Sequence, residues 1–203
     1  MKKDIKAIVL DADGVIINKP DMFSVQYQKE FGISNEVMLP FFKGRFQDCL
    51  TGKADLKEEL KPFLKKWAWP GTVEELLNYW FKSEHYIDER IVAEIEDLKR
   101  MGIKCYLGTD QEKYRTEYIR KNMGLEKIFD KIYSSAEMGC KKPDKEFFKS
   151  MAEDLRQGEN IQPEKIMFWD DDEKNVAAGK DFGIQGYLYK NFNEFYKIVS
   201  QIK

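Results

Sequence analysis

Asp11 and Asp13 stand one residue apart at the end of an apolar run, "KAIVLDADGVIIN", with Gly14 directly behind them. Two carboxylates this close repel each other, and aspartate is depleted in strands. The pair reads either as a strand-to-loop turn, capped by Asp and bent at Gly14, or as the acidic half of a site. Three further stretches have the same form. "LGTD" sets Thr109 and Asp110 behind an apolar run, "GCKKPD" sets Lys141 and Lys142 before Pro143, and "IMFWDDDEKNV" delivers Asp170, Asp171 and Asp172. At about 4 Å and an effective dielectric of about 20, each like-charge pair costs about 4 kcal/mol. Asp11, Asp13, Asp170, Asp171 and Asp172 on one edge therefore demand positive charge. An all-oxygen set with few fixed ligands suits Mg²⁺, which keeps waters and shares its coordination with a phosphate. Lys142 adds a point charge, Thr109 a hydroxyl, and nearby backbone N–H groups can cradle an oxyanion. One aspartate can then attack phosphorus while a second handles the proton of the leaving oxygen.

The elements that must carry these residues can be read from periodicity. Ile8, Val9 and Leu10 form the unbroken apolar run of a strand covered on both faces. From residue 86 the pattern alternates strictly. A helix with Ile91, Val92, Ile95 and Leu98 closes on Gly102, and the strand "IKCYLGTD" and the helix "QEKYRTEYIRKNMG" follow. Next come the strand "KIYSS", a helix from Asp144 to about residue 156, and the strand "KIMFWDDD". The series ends with the helix "EKNVAAGKDFG", the strand "IQGYLY" and a helix holding Phe195 and Ile198. Such alternation predicts an α/β fold, a Rossmann-like parallel sheet with helices on both faces, whose ligands bind beyond the carboxyl ends of the strands. Between the first and second strands lies an aromatic-rich helical stretch. In it, "SVQYQKEFGI" closes on Gly32, "TVEELLNYWF" follows Thr72 as N-cap, and Lys61-Pro62 and Trp69-Pro70-Gly71 punctuate the pattern. The expected division is a core of residues 1–17 and 86–203 and an inserted α-helical cap of residues 18–85.

In order, these four stretches resemble the motifs of the haloacid dehalogenase superfamily, across nearly the whole chain. The resemblance implies a Mg²⁺-dependent phosphohydrolase in which Asp11 is the nucleophile and Asp13 the general acid/base. It assigns Thr109 and Lys142 to the phosphate, and Asp11, Asp13 (through its backbone carbonyl), Asp170 and Asp171 to the metal. The second motif's usual asparagine is Asp110 here. Asn175 stands where the fourth often has an acid, and is expected to order the loop, while Asp172 reads equally as a helix cap. Dehalogenases of the family generally lack the second aspartate of the first motif, so Asp13 favours phosphoryl transfer. The expected substrate is a small phosphorylated metabolite, a sugar phosphate by default. A phosphomutase and a non-catalytic phospho-receiver or phosphate-binding protein are the alternatives. In the cap loop "FFKGRFQDCLTGK", Lys43, Arg45, Gln47 and Lys53 lie near glycines, and Arg45 and Lys53 are the candidates for substrate specificity. Trp67, Trp69 and Trp80 are expected to be cap core rather than a stacking platform.

Composition narrows the remaining classes. The chain has 203 residues, with 34 Lys and Arg against 36 Asp and Glu, a net charge of −2 that gives no global pull towards nucleic acid or an anionic membrane. No apolar stretch is long enough to span a bilayer, and the opening apolar run is too short for a secretory signal. Three cysteines, Cys49, Cys105 and Cys140, lie far apart, which argues against a disulfide framework or zinc site and for a cytoplasmic protein. One histidine, His85, at an expected helix junction, leaves little material for a His-based triad. A monomer or weak homodimer is expected.

Overall fold

The computed structural model of the chain describes residues 4–18 and 21–202; residues 1–3, 19–20 and 203, which fall at the limits of the expected core and cap, lie outside the described residues. Five parallel strands form one sheet: β1 (Ala7–Leu10), β2 (Lys104–Thr109), β3 (Lys131–Ser134), β4 (Ile166–Asp170) and β5 (Gln185–Leu188). Their order is β3-β2-β1-β4-β5, so β1 is central, with Val9 opposite Tyr106 on one side and Phe168 on the other. Because successive side chains alternate, Ile8, Leu10, Met167 and Trp169 enter one core while Ala7, Val9, Ile166 and Phe168 enter another. That two-sided burial is why these strands read as continuous apolar runs.

Five of the six helices between β1 and β2 form an insert: α1 (Phe23–Phe31), α2 (Asn35–Lys43), α3 (Phe46–Cys49), α4 (Leu56–Lys66) and α5 (Val73–Ser83). Their apolar faces converge on a separate cluster around Phe23, Tyr27, Phe41, Trp67 and Trp80. Thr72 caps α5 in a reciprocal capping box with Glu75, and Gly32 closes α1 in the left-handed conformation, as the spacing predicts. Pro62 does not break the chain. It lies on the exposed side of α4, whose Leu56 and Leu60 are buried in the cluster, and that burial outweighs the one N–H that proline lacks. Pro40 likewise sits inside α2.

The remaining helices cover the sheet: α6 (Glu89–Arg100), α7 (Lys113–Lys121), α8 (Leu125–Ile128), α9 (Ser135–Met138), α10 (Lys145–Glu159), α11 (Glu173–Asp181) and α12 (Phe192–Val199). Helices α6 and α12 pack Ile91, Ile95, Phe195 and Val199 on one face, and α10 packs Phe147, Phe148 and Met151 on the other. The one-turn helices α8 and α9 have no counterpart in the sequence reading, because four residues are too few for a period to show. His85 lies just after α5, exposed, with Nδ1 2.9 Å from the Tyr118 hydroxyl. Among the described residues no helix is long and apolar enough to cross a membrane.

Candidate active site

Lys142 is the pivot of the strand-end cluster. It is almost fully buried, and its Nζ lies 2.9 Å from Asp11 Oδ1 and 2.6 Å from Asp170 Oδ2. Burial disfavours the ammonium, but the charges of Asp11, Asp170 and Asp110 outweigh burial and raise the Lys142 pKa above its ordinary value. Asp110 also accepts the Lys142 backbone N–H at 3.0 Å, so it anchors the segment that carries the lysine. Burial raises Asp110 above the usual carboxylate range, with Lys142 opposing.

Asp11 follows β1 directly. Its backbone N–H donates to the Trp169 carbonyl at 2.9 Å, continuing the sheet pattern one residue beyond the strand, and its Oδ1 accepts from the Ala12 N–H at 2.7 Å. Burial pushes its carboxyl well above the ordinary range; Lys142 opposes this and the Asp170 charge adds to it. Asp170 closes β4, fully buried, with Oδ1 accepting from the Asp172 N–H at 2.9 Å and from Asn175 Nδ2 at 3.0 Å. With Lys142 on Oδ2, three of about four lone-pair positions are taken, leaving one for a further partner. Asn175 thus orders the loop, and Asp172 caps α11 by accepting the Lys174 N–H at 2.8 Å.

Asp11, Asp170 and Asp171 bring one oxygen each to within 4.8 Å of one another. Gly14, at φ +76°, makes room for this: a Cβ there would lie 2.1 Å from Asp171 Oδ2. Burial and the Asp170 charge raise Asp171 as well. Three carboxylates share a single neighbouring ammonium, two of them pushed towards protonation, and the set is all oxygen. Those features fit a hard divalent cation, which would favour their ionised forms.

Asp13 faces the same cleft, a cavity of about 440 Å³ lined by Asp11, Asp13, Thr109, Asp171 and Asn175, among others. Thr109 ends β2 and is buried, with Gln111 Nε2 3.4 Å from its hydroxyl. Gln111 also donates to Asp13 Oδ2 at 2.6 Å, and the Arg115 guanidinium lies 3.8 Å from Asp13 Oδ1. Lys142 and Asp170 sit beneath this cleft. The structure therefore brings together Asp11, Asp13, Thr109, Lys142, Asp170 and Asp171.

Four residues around the cleft escaped the sequence reading. Arg115 is buried on α7, donating to the Phe81 carbonyl at 3.1 Å and lying 3.7 Å from Glu84 Oε2. Glu84, in turn, accepts the Phe23 N–H at 2.8 Å and Trp80 Nε1 at 3.0 Å. Burial and the Asp13 charge raise its carboxyl, with Arg115 opposing. Gln111 and Glu112 precede α7, and Glu112 caps it, accepting from Tyr114 N–H at 2.7 Å and Arg115 N–H at 2.5 Å. One signal was available: Arg115 and Ile119 are four apart, so the arginine stands on the buried face of its helix.

The expected specificity pair does not line the cleft. Arg45 is two-thirds exposed and turned to Glu59, 3.6 Å away, while Lys53 borders a separate cavity of about 200 Å³ beside Asp55 and Lys113. The same loop of the helical insert meets the elements around the sheet by other residues. Lys141 donates to Gln47 Oε1, and Gly52, at φ +69°, lies so close to Ala136 that a Cβ would be 2.6 Å from its carbonyl oxygen. Asp55 adds contacts to Lys113 at 2.5 Å and to the Tyr114 hydroxyl at 2.9 Å. Trp67 is buried in the aromatic cluster of the helical insert, whereas Trp80 is both part of that cluster and cavity wall.

Residues 5–183 match the family model of the haloacid dehalogenase-like hydrolases. The chain is 26% identical over 196 residues to a D-ribitol-5-phosphate phosphatase of Bacteroides thetaiotaomicron, covering 92% of this chain and 93% of that protein. It is 24% identical over 191 residues to a phosphorylated carbohydrates phosphatase of Thermotoga maritima, covering 89% and 83%. A solved enzyme of the same family from B. thetaiotaomicron, in complex with magnesium and inorganic phosphate, superposes with a TM-score of 0.76 at 23% identity, covering 95% of this chain and 99% of that one.

Proposed function

The chain belongs to the haloacid dehalogenase-like hydrolases, and we propose that it is a Mg²⁺-dependent phosphatase that cleaves a small phosphomonoester through an aspartyl-phosphate on Asp11. The carrying observation is the gathering of Asp11, Asp170 and Asp171 within 4.8 Å, with the buried Lys142 bridging two of them. Relatives named as phosphatases support the reaction class, and the magnesium and phosphate held by a solved relative support the cofactor.

Asp11 Oδ1 is committed to the Ala12 N–H and Lys142, so the attack on phosphorus is assigned to Oδ2. As the Oδ2–P bond forms, the ester P–O bond breaks and Asp13 gives its proton to the departing alkoxide. Asp13 then takes a proton from water as that water attacks phosphorus, which releases phosphate and restores Asp11. Gln111 and Arg115 hold Asp13 for both transfers. Thr109 and Lys142 meet the phosphoryl oxygens. Asp11, Asp170, Asp171 and the Asp13 carbonyl would hold Mg²⁺, which when bound neutralises the carboxylates and polarises the phosphoryl group. Residues 18–85 act as the cap that covers this chemistry, a role supported by their separate aromatic cluster and their contacts through Asp55, Gln47 and Gly52.

Chelator should abolish phosphate release from p-nitrophenyl phosphate and Mg²⁺ should restore it. Asp11→Asn should lower turnover by about 10⁴ or more, by analogy with other nucleophile deletions. Full turnover in excess chelator, or by the Asp11 variant, would refute the assignment.

A further inference from the structure

A second cavity, of about 370 Å³, opens from the first. The two share Asp13, Met22, Glu84, Asp110 and Gln111, so an alcohol leaving from phosphorus at Asp11 extends into it. Its far wall is apolar: Phe23, Leu39, Phe42, Phe46, Leu50 and Trp80. The volume falls in the range of small-molecule pockets, about 300–1,000 Å³.

The polar side chains of the nearer wall already hold partners within the protein. Both oxygens of Glu84 accept from within the protein, one from the Phe23 N–H and one from Trp80 Nε1. The two oxygens of Glu112 cap α7. Gln111 spends its amide nitrogen on Asp13 and Thr109. Arg115, the one cation among the described residues of this wall, donates to the Phe81 carbonyl and faces Asp13 and Glu84. A polyol reaching past this wall would give up water at each hydroxyl against six apolar side chains. A second anionic group would meet four acids and a cation already paired.

On the phosphatase reading above, the geometry points to a substrate whose alcohol is predominantly apolar: a monophosphate ester carrying an aromatic ring or compact hydrocarbon group, without a second charge. Ser24 and Asn35 leave room for one polar substituent, not for the row of hydroxyls of an alditol or sugar. The cavity thereby separates this chain from the carbohydrate phosphates for which its relatives are named.

The test compares three primary alkyl esters with Mg²⁺ present: 2-(2-naphthyl)ethyl phosphate, D-ribitol 5-phosphate and methyl phosphate. The two larger esters have similar leaving groups, so their difference reads the cavity. The naphthyl ester should exceed ribitol phosphate in kcat/KM by about tenfold or more, mainly through KM, since even one methylene in an apolar pocket is worth about 10-fold. Leu39 lines the cavity without belonging to the aromatic cluster of the helices, so Leu39→Asn leaves that core intact. It should raise KM for the naphthyl ester about tenfold and affect methyl phosphate, which is too short to reach Leu39, far less, while Leu39→Met should behave as wild type. Equal or better turnover of ribitol phosphate by the wild type overturns the apolar assignment alone. So does a Leu39→Asn variant that keeps methyl phosphate turnover and shows no change in KM for the naphthyl ester. Absence of hydrolysis of all three esters and of p-nitrophenyl phosphate overturns the phosphatase reading, and this inference with it.

Discussion

Glu112 offers a quantitative test of the buried electrostatics beside the cleft. It is 1% exposed, and burial raises its carboxyl from 4.5 to about 7, against the two backbone N–H bonds and Arg115 that favour ionisation. Between those two pH values the folded chain holds a proton at Glu112 that the unfolded chain has lost. Stability from this group is therefore present below about pH 4.5, falls as pH rises towards 7, and is level above that. A rise from 4.5 to about 7, at about 1.36 kcal/mol per pH unit, makes the fall about 3 kcal/mol. Glu112→Gln removes the titration and keeps one acceptor oxygen for the α7 cap, so its capping loss is constant with pH. Urea denaturation of both proteins at pH 5 and pH 7.5 should show the wild type losing about 2 kcal/mol relative to the variant, since pH 5 already lies part-way down the fall. Subtracting the variant cancels the other titrating groups, including Glu84 and Asp110. A wild-type-minus-variant difference that is equal at the two pH values would show that Glu112 is ionised throughout, and that the cap and Arg115 outweigh its burial.

Three further outcomes follow from the site. Asp13→Asn should slow hydrolysis of alkyl phosphates far more than of p-nitrophenyl phosphate, whose leaving group needs little protonation; equal losses on both would remove Asp13 from proton transfer. Gly14→Ala should cost about 1–2 kcal/mol of stability for the left-handed conformation. It should cut turnover about 10²-fold by displacing Asp171, and activity against Mg²⁺ concentration, with a urea curve, measures both effects. Asp55→Ala removes the α4 cap and the contacts to Lys113 and Tyr114, so stability should fall by about 1 kcal/mol, read by urea denaturation, with the turnover of methyl phosphate retained.

The chain announces the sheet and its working edge because a strand buried on both faces has to end somewhere polar. Asp11, Thr109 and Asp170 each follow or close such a run, and the structure sets them on three adjacent strands. The roles open for Asp172 and Asn175 could be framed from the sequence but not chosen, since cap and ligand use the same oxygens. What was hidden depends on distant partners. Arg115 gains its meaning from Asp13 and Glu84, residues remote in sequence. Arg45 looked poised to reach substrate because charge and nearby glycines are visible in a sequence, while the position of Glu59 is not. Pro62 read as punctuation because local propensity cannot weigh the burial of Leu56 and Leu60.

The central place of β1 has a consequence for how the chain is made. Its neighbours are residues 104–109 on one side and 166–170 on the other, so β1 is synthesised before both and is enclosed only after the second emerges. A nascent chain that has reached residue 160 can pair Ala7–Leu10 along one edge only, and the other remains an open apolar template for strand addition. The helical block between β1 and β2 has its aromatic cluster within residues 23–81 and can gather that cluster while the sheet is still incomplete. Assembly of Asp11 with Asp170 waits until residue 170 has emerged, and so long a separation makes folding slow relative to a local-contact protein. The interval before β4 emerges is the one in which the open edge of β1 is most exposed to aggregation.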